Sequence, residues 1–366
     1  MSNVRRSKGV WILSTMLAVF TLLALVWGAK AAQGAVKELK WAVFVPESAY
    51  DSPPLKRFRE DVEKYTDGAV KIRLFWPGQI AEVKEMVELV KRGSIDISTT
   101  APTFYPSMFP LNVTLQSFPM LLKSPEQSTY VWRGLFREFQ ELQKEFTAQN
   151  QYCLNRGTLA LYLTLSKKPI RTAADFKGQK VRSMPGKYFS KIMEQVGAVP
   201  IVNPISEVYE GLMRGSLDAV MLNIQIFDTL KFYETAKYVS LPVGSPVGYW
   251  ISINLDTWNS FTPQVKDGMM RAANEWGARL LNLVTSTSDA STKNLKQKGV
   301  QFVEFSQKEW EGIIARAGDP WVAAKDYLIT DLRVDPGLAD RFLKRWLDLA
   351  NEYDKKYPAD KVWKYE

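Results

Sequence analysis

Hydrophobic and polar positions along the chain switch repeatedly between the period of strands and the period of helices. Apolar runs of strand length cover Leu39–Val45, Val70–Phe75 and Ile95–Ser98. Between them, over Pro53–Tyr65 and Glu82–Lys91, apolar residues recur every three or four positions, which places them on one helical face. The order strand, helix, strand, helix, strand predicts a mainly parallel sheet with helices on both faces.

The same order begins again further along the chain. The predicted strands are Leu159–Leu165, Gln179–Arg182, Val199–Val202 and Asp218–Leu222, and the predicted helices are Lys187–Val196, Glu207–Arg214 and a segment from about 225 to 233. Ser206 is a suitable N-cap for the middle helix. Because no Gly/Ser-rich linker separates the two α/β units, the pattern predicts two lobes with a cleft between them.

A long helical pattern follows the second unit. Thr262 suits an N-cap and Pro263 suits the first helical position, and no glycine is placed as a stop before Gly299. A helix over Pro263–Lys298 would have 36 residues and a length of about 54 Å. It would therefore pack along both lobes. The alternative is a pair of helices broken near Ser286–Ser288.

The start of the chain resembles an export signal. Basic residues precede an apolar run over residues 10–27, and Ala29-Lys30-Ala31 then places small residues where a signal peptidase cleaves. We expect residues 1–31 to be removed on export to the periplasm. The alternative is an uncleaved membrane anchor, because the run is nearly long enough to span a bilayer.

The amino-acid composition excludes several classes of catalytic and metal-binding chemistry. The 366 residues are 46% hydrophobic and 24% charged, as in a soluble globular protein of two or three domains. Histidine is absent, which excludes Ser-His-Asp catalysis and histidine-ligated zinc. The single cysteine, Cys153, excludes an intrachain disulfide and a thiolate metal cluster, and it has no imidazole partner as a nucleophile. No two glycines stand two apart, so the G-x-G-x-x-G and G-x-S-x-G motifs are missing. We expect neither a cofactor nor a metal.

The charge balance argues against nucleic acid as a partner. The chain carries a net charge of +9, but residues 1–31 hold four basic residues and no acidic residue, which leaves +5 for the remainder. The basic residues are interleaved with acids, as where Lys56 and Arg57 precede Glu60 and Asp61. A nucleic-acid-binding face would need clustered basic residues.

An ordered set of motifs carries a family resemblance. The motifs are Pro77-Gly-Gln79, Gly93-Ser-Ile-Asp96, Phe118-Pro-Met-Leu-Leu-Lys123, Asp175-Phe-Lys-Gly-Gln-Lys-Val-Arg182, Gly197-Ala-Val-Pro200, Ser206-Glu-Val-Tyr209, Gly215-Ser-Leu-Asp218, Asn223 and Lys231-Phe-Tyr-Glu234. From about residue 38 to 310 the chain resembles the TRAP transporter solute-binding proteins, the extracytoplasmic receptors of tripartite ATP-independent transporters.

The resemblance implies an α/β, two-lobed periplasmic binding protein fold with a long lobe-spanning helix. The first lobe would hold 37–159 plus 248–287, the second 160–247 plus 288–366, and the helix at about 263–298 would be shared. Such a protein closes on a small organic acid and delivers it to the TRAP membrane permease, as a periplasmic monomer and not as an enzyme. The alternatives are a receptor serving a sensor or another transporter, and a secreted enzyme on the same scaffold.

The resemblance also implies a carboxylate clamp. Arg182, at the end of a strand, matches the family's clamping arginine, whose planar fork makes two parallel bonds to one carboxylate. Asn223 matches an asparagine that donates to the same carboxylate. The alternatives are a surface Arg182 paired with Asp175 or Glu207, and an Asn223 that serves only as a helix N-cap.

The chain departs from the family at positions that bear on the ligand. Tyr162 stands where some relatives carry a second arginine, and Phe44 and Phe104 stand where sugar-acid binders place polar groups. Hydroxyls left unpaired against such walls are costly, so we expect a monocarboxylate with an apolar or aromatic body.

Two further residues are supporting candidates. Glu47, on the turn after the first strand, would accept a hydrogen bond from a ligand hydroxyl or amine, or else is simply solvated. Trp250 would stack on the ligand, or else belongs to the core.

Overall fold

The computed structural model describes residues 36–357 apart from 119–120, 184–186 and 242–245. The export signal predicted over residues 1–31 lies outside the described residues. Within them the strands form two sheets, each covered by helices. The α/β fold class predicted from the sequence is confirmed.

The first sheet has five strands: β1 Lys37–Val43, β2 Val70–Phe75, β3 Ile97–Thr100, β4 Gln151–Leu161 and β10 Pro246–Asn254. Their order is β2-β1-β3-β10-β4. The pairs of β1 with β2 and with β3 are parallel, as the alternating pattern predicts, whereas β10 runs antiparallel to both of its neighbours. The helices around this sheet are α1 Ser52–Tyr65, α2 Met86–Lys91, α3 Pro110–Ser117, α4 Pro125–Glu138, α5 Gln140–Thr147 and α9 Leu255–Asn259.

The second sheet has six strands: β5 Leu163–Ser166, β6 Lys180–Arg182, β7 Val199–Ile201, β8 Ala219–Leu222, β9 Tyr238–Leu241 and β11 Gln301–Glu304. Their order is β11-β9-β5-β8-β6-β7, with β6 parallel to both β7 and β8. Its helices are α6 Lys187–Gln195, α7 Val208–Arg214, α8 Ile224–Thr229 and α11 Gln307–Ala317, and short 3-10 turns occur at Ala173–Phe176, Ile205–Glu207 and Phe232–Glu234.

One unbroken helix, α10 Pro263–Gln297, joins the two sheets. Toward the first sheet, Asn155 Nδ2 of β4 donates to the Ala273 carbonyl at 2.8 Å. Toward the second, Gln225 Nε2 of α8 donates to the Val284 carbonyl at 3.0 Å. The long lobe-spanning helix is therefore confirmed, and the break considered near Ser286–Ser288 does not occur.

The carboxyl-terminal elements do not follow the lobe boundaries drawn from the sequence. They are α12 Pro320–Asp326, a π-helical turn at Tyr327–Asp331 and α13 Pro336–Lys356. The sequence division places 288–366 in the second lobe, but α13 packs against α4 of the first. The physical reason is an apolar face on α13 that includes Leu349, which lies where a side chain on Gly134 would stand. Among the described helices, none is both long and apolar enough to span a bilayer.

Candidate functional site

A cavity lies between the two sheets. It contains about 970 Å³ of space, counting its open mouth, and residues of both sheets line it. Arg182 ends β6 and Asn223 follows β8, while Phe44 follows β1. Strand ends of both lobes therefore meet at the cavity, the usual place for a ligand in open α/β sheets.

Arg182 is buried in the wall of this cavity, with 3% of its surface exposed. Its Nε and Nη2 donate to the Asn203 carbonyl at 3.4 Å, and its Nη1 donates to the Met221 carbonyl at 3.3 Å. A guanidinium has five N–H donors, so one donor on each terminal nitrogen is left over. In the described part of the chain, no acidic side chain forms an ion pair with Arg182, and burial lowers its pKa.

Tyr162 stands at the point where the chain passes from β4 to β5, between the two sheets. It lines the cavity, and its hydroxyl lies beside the Arg182 guanidinium. Burial raises the pKa of this phenol, against the opposing effect of the neighbouring positive charge. The hydroxyl therefore stays neutral and offers a second polar group next to the guanidinium.

Asn223 serves as the N-cap of α8 and also lines the cavity. Its side-chain oxygen accepts from the Ile226 N–H at 3.2 Å. Because the oxygen is used by the helix, the amide nitrogen keeps its two donors. The capping role and a ligand-binding role are thus compatible.

Aromatic rings form the opposite wall. The ring of Phe44 packs edge-on against Phe104 and against Tyr249, with centroid distances of 6.2 and 5.5 Å. All three residues line the cavity. These three rings present an apolar surface apart from the Tyr249 hydroxyl.

Further polar residues that were not expected from the sequence also line the cavity, among them Gln116 and Asp51. Gln116 belongs to α3, and its side-chain oxygen accepts from Arg156 Nη2 at 3.1 Å and from the Gly248 N–H at 2.8 Å. Two donors on the oxygen fix the orientation of the amide, and its NH₂ group points away from them. Asp51 is 3% exposed and precedes α1. An aspartate before a helix matches an ordinary N-cap in sequence, and nothing in the pattern marks Gln116.

The remaining two candidates lie elsewhere. Glu47 is on the outer surface, where its carboxylate pairs with Lys56 Nζ at 2.7 Å. Trp250 is buried in the core against Phe109 and Phe146, with centroid distances of 4.6 and 4.8 Å. Alternation along β10 explains this placement, because Tyr249 faces the cavity and the next side chain must face the other side. Arg182, Asn223, Tyr162, Phe44 and Phe104, by contrast, meet at one cavity.

Among the described residues, no three carboxylate or thiol groups are placed to bind a metal ion. Cys153 is buried in β4, and its burial raises the pKa of the thiol.

Comparison with known proteins identifies the family of this chain and solved structures that share its fold. The model of the bacterial extracellular solute-binding proteins, family 7 (DctP), matches residues 44–322. The chain is 24% identical to the C4-dicarboxylate-binding periplasmic protein DctP of Rhodobacter capsulatus, over 74% of this chain and 83% of that protein.

Solved structures of similar proteins share the fold. A Bordetella pertussis extracytoplasmic solute receptor binding pyroglutamic acid is 17% identical, with a TM-score of 0.75 over 86% of this chain and 99% of that one. The sugar acid binding protein of Advenella mimigardefordensis in complex with galactonate is 20% identical, with a TM-score of 0.76 over 86% and 98%.

Proposed function

This chain belongs to family 7 of the bacterial extracellular solute-binding proteins, the TRAP receptor family, and from that membership we propose that it captures a small carboxylic acid in the periplasm. The acid is held between the two lobes and passed to the membrane permease of a TRAP transporter. Arg182 and Asn223 bind its carboxylate, and Tyr162 donates beside them.

The observation that carries the proposal is the isolated charge of Arg182. Its guanidinium is buried, faces the cavity and has no acidic partner among the described residues. A buried charge without a counter-charge is unfavourable. A ligand carboxylate would supply the missing charge and use the two remaining donors as a fork.

The walls of the cavity favour a monocarboxylate. Among the described residues that line the cavity, Arg182 is the only positively charged one, and Asp51 and Glu82 are acidic. A second carboxylate on the ligand would therefore meet negative charge and no further arginine or lysine. Phe44 and Phe104 favour an apolar or aromatic body, because burying such surface contributes about 25 cal/mol per Å².

The relatives support the general class of ligand. The similar proteins reported above bind a C4-dicarboxylate, pyroglutamic acid and galactonate, and every one of these is a carboxylic acid. The shared part of the ligand is the carboxylate, and the part that differs faces the opposite wall. We therefore assign the common carboxylate to Arg182 and the choice among acids to the first-lobe wall.

Calorimetry on protein freed of copurified ligand tests the proposal. A panel of sugar acids, C4-dicarboxylates, aromatic acids and branched 2-oxo acids identifies the tightest binder, which we expect to be a monocarboxylate. The variant Arg182→Lys keeps the charge and loses the fork, so its affinity should fall at least about tenfold with the fold intact. Arg171→Lys changes an exposed arginine of the same lobe and serves as the control. Unchanged affinity in Arg182→Lys would overturn the clamp.

A further inference from the structure

Asp51 occupies the N-cap position of α1 but does not cap the helix. Its side chain accepts no hydrogen bond from the first turn. An aspartate at this position ordinarily accepts from the second or third N–H of the helix. Here the residue is 3% exposed and lines the cavity, and its Oδ1 has no hydrogen-bond partner in the described part of the chain. The carboxylate is directed to the cavity instead of the helix.

The turn before α1 separates its two acidic side chains. The Ala49 N–H donates to the Pro46 carbonyl at 3.0 Å, and the Ser52 hydroxyl donates to the Glu47 carbonyl at 2.6 Å. In this turn the Glu47 carboxylate reaches the outer surface and pairs with Lys56. The Asp51 carboxylate is left on the inner side.

Aromatic hydroxyls surround Asp51, and no cation of the described residues pairs with its carboxylate. The Tyr249 hydroxyl lies beside the carboxylate but outside hydrogen-bonding geometry, and the hydroxyls of Tyr50 and Tyr162 lie further around it. Burial raises the pKa of Asp51 to about 6. A buried acid with neither a cap nor a cation is unfavourable for the protein alone, and such local conflicts concentrate at functional sites.

Resting on the carboxylate-receptor function proposed above, we propose that Asp51 selects acids that carry an N–H or O–H donor on their body, by accepting a hydrogen bond from that donor. The ligand would then be held at two ends of opposite polarity, with its carboxylate on Arg182 and its donor on Asp51. The fixed NH₂ group of Gln116 is available for an acceptor on the same body. A ring amide that bears a carboxylate has all three groups: the carboxylate, an N–H donor and a carbonyl acceptor. A 2-hydroxy acid has the carboxylate and an O–H donor but no carbonyl acceptor on its body.

The test uses pairs of acids that differ only in the donor. One pair is pyroglutamate and 5-oxotetrahydrofuran-2-carboxylate, in which ring oxygen replaces N–H. The others are 2-hydroxy-3-phenylpropanoate with 3-phenylpropanoate, and 2-hydroxy-4-methylpentanoate with 4-methylpentanoate. Dissociation constants are measured by calorimetry on wild type and on Asp51→Ala. We expect the donor-bearing member of at least one pair to bind wild type about 10- to 100-fold more tightly, since hydrogen bonds to charged groups are the strong ones.

The variants separate selection from folding. In Asp51→Ala the two acids of each pair should bind with affinities that differ by less than about threefold. Glu47 is an acid of the same turn on the outer surface, and Glu47→Ala should keep the wild-type preference. Asp51→Asn, which keeps the volume, should reduce the preference if the alanine variant does not fold.

Failure of this inference is distinct from failure of the proposed function. Equal affinities within every pair, or a preference that survives in Asp51→Ala, would overturn the role of Asp51 while leaving the Arg182 clamp intact. Binding of no acid in the pairs or the panel would overturn both.

Discussion

Nη2 of Arg156 donates to Oε1 of Gln116 over 3.1 Å, directly behind the cavity wall. Arg156 is 5% exposed, and no acidic side chain in the described ranges forms an ion pair with it. Burial lowers the pKa of its guanidinium to about 10, so it remains charged at neutral pH. This residue therefore holds the Gln116 amide in one orientation and adds positive potential behind the proposed carboxylate site.

Replacing Arg156 with methionine should weaken ligand binding more than it weakens the fold. Methionine fills much of the same volume and removes a buried cation that has no counter-charge, so the free energy of unfolding should change by less than about 2 kcal/mol. The Gln116 side-chain oxygen would then accept a hydrogen bond only from the Gly248 N–H. Because the amide is held less firmly, the affinity for the tightest acid should fall several-fold. Chemical denaturation and calorimetry measure the two effects.

A buried ion pair on the same lobe provides the contrast. Arg279 pairs with Asp61, whose side chain is fully buried. Arg279→Met removes one partner of Asp61 and leaves Arg57 at 3.2 Å, so this variant should lose about 1–3 kcal/mol of stability with ligand affinity unchanged. If Arg156→Met were the more destabilised of the two with its affinity unaltered, Arg156 would be a purely structural residue.

Ligand contacts from both lobes should favour the closed arrangement of the lobes. Arg182 and Asn223 lie on one side of the cavity, and Phe44 and Gln116 lie on the other. An acid that contacts both sides stabilises closure by its differential affinity for the closed state. Small-angle scattering should show a smaller radius of gyration on saturation with the tightest acid. Arg182→Lys at the same ligand concentration should remain near the ligand-free radius, and an unchanged radius for the wild type would argue against closure.

Close packing of the long helix α10 against α1 depends on a glycine. A Cβ on Gly268 would collide with the backbone carbonyl of Tyr65, which cannot move without shifting α1. Gly268→Ala should therefore destabilise the protein by about 1–3 kcal/mol. Gly312→Ala is the matched control, because its nearest neighbour is the flexible Arg316 side chain at 3.5 Å, and it should stabilise α11 by up to about 1 kcal/mol. Similar melting temperatures for the two variants would contradict this account.

The elements that could be predicted from the sequence are those with clear periodicity or strong termini. Strand β2 has its predicted bounds, Val70–Phe75. The long helix begins at Pro263 as predicted, and the Thr262 side chain accepts from the Val265 N–H at 3.3 Å. Ser206, predicted as an N-cap, instead lies inside a 3-10 turn, and Glu207 holds the cap position. A serine before a helical pattern does not distinguish these two geometries.

The change of lobe could not be predicted from the apolar pattern. Leu159–Leu165 is a mainly apolar segment that predicts one strand, but β4 ends at Leu161 and β5 begins at Leu163. Both halves are buried, so hydrophobicity does not mark the break at Tyr162. The same limit applies to Asp51 and Tyr249, whose side chains reach the cavity because of the turn before α1 and the orientation of β10. Those orientations are set by tertiary packing.

The affinity for a donor-bearing acid should rise with pH through about 6. Asp51 has its pKa raised by burial to about 6, and the groups around it are Tyr50, Tyr162, Tyr249, Arg182 and the lining acid Glu82. A donor that bonds to the carboxylate favours the ionised form, so the pKa of Asp51 is lower in the complex than in the free protein. The complex then holds fewer protons than the free protein between these two values, and binding strengthens as pH increases across that window.

From pH 5 to pH 7 the increase in affinity should be about tenfold, since the ionised fraction of a group with a pKa near 6 rises by about that factor. A ligand carboxylate of ordinary pKa stays ionised between pH 5 and pH 7, so it adds no pH dependence to the affinity. Asp51→Ala should show a flat profile. Because the folded pKa of Asp51 lies above its ordinary value, its ionisation costs stability as pH rises from about 4 to 6. The variant should accordingly gain stability relative to wild type at pH 7 by up to about 3 kcal/mol, but not at pH 4. A wild-type affinity that falls as pH rises would mean that Asp51 binds the ligand in its protonated form, as a donor.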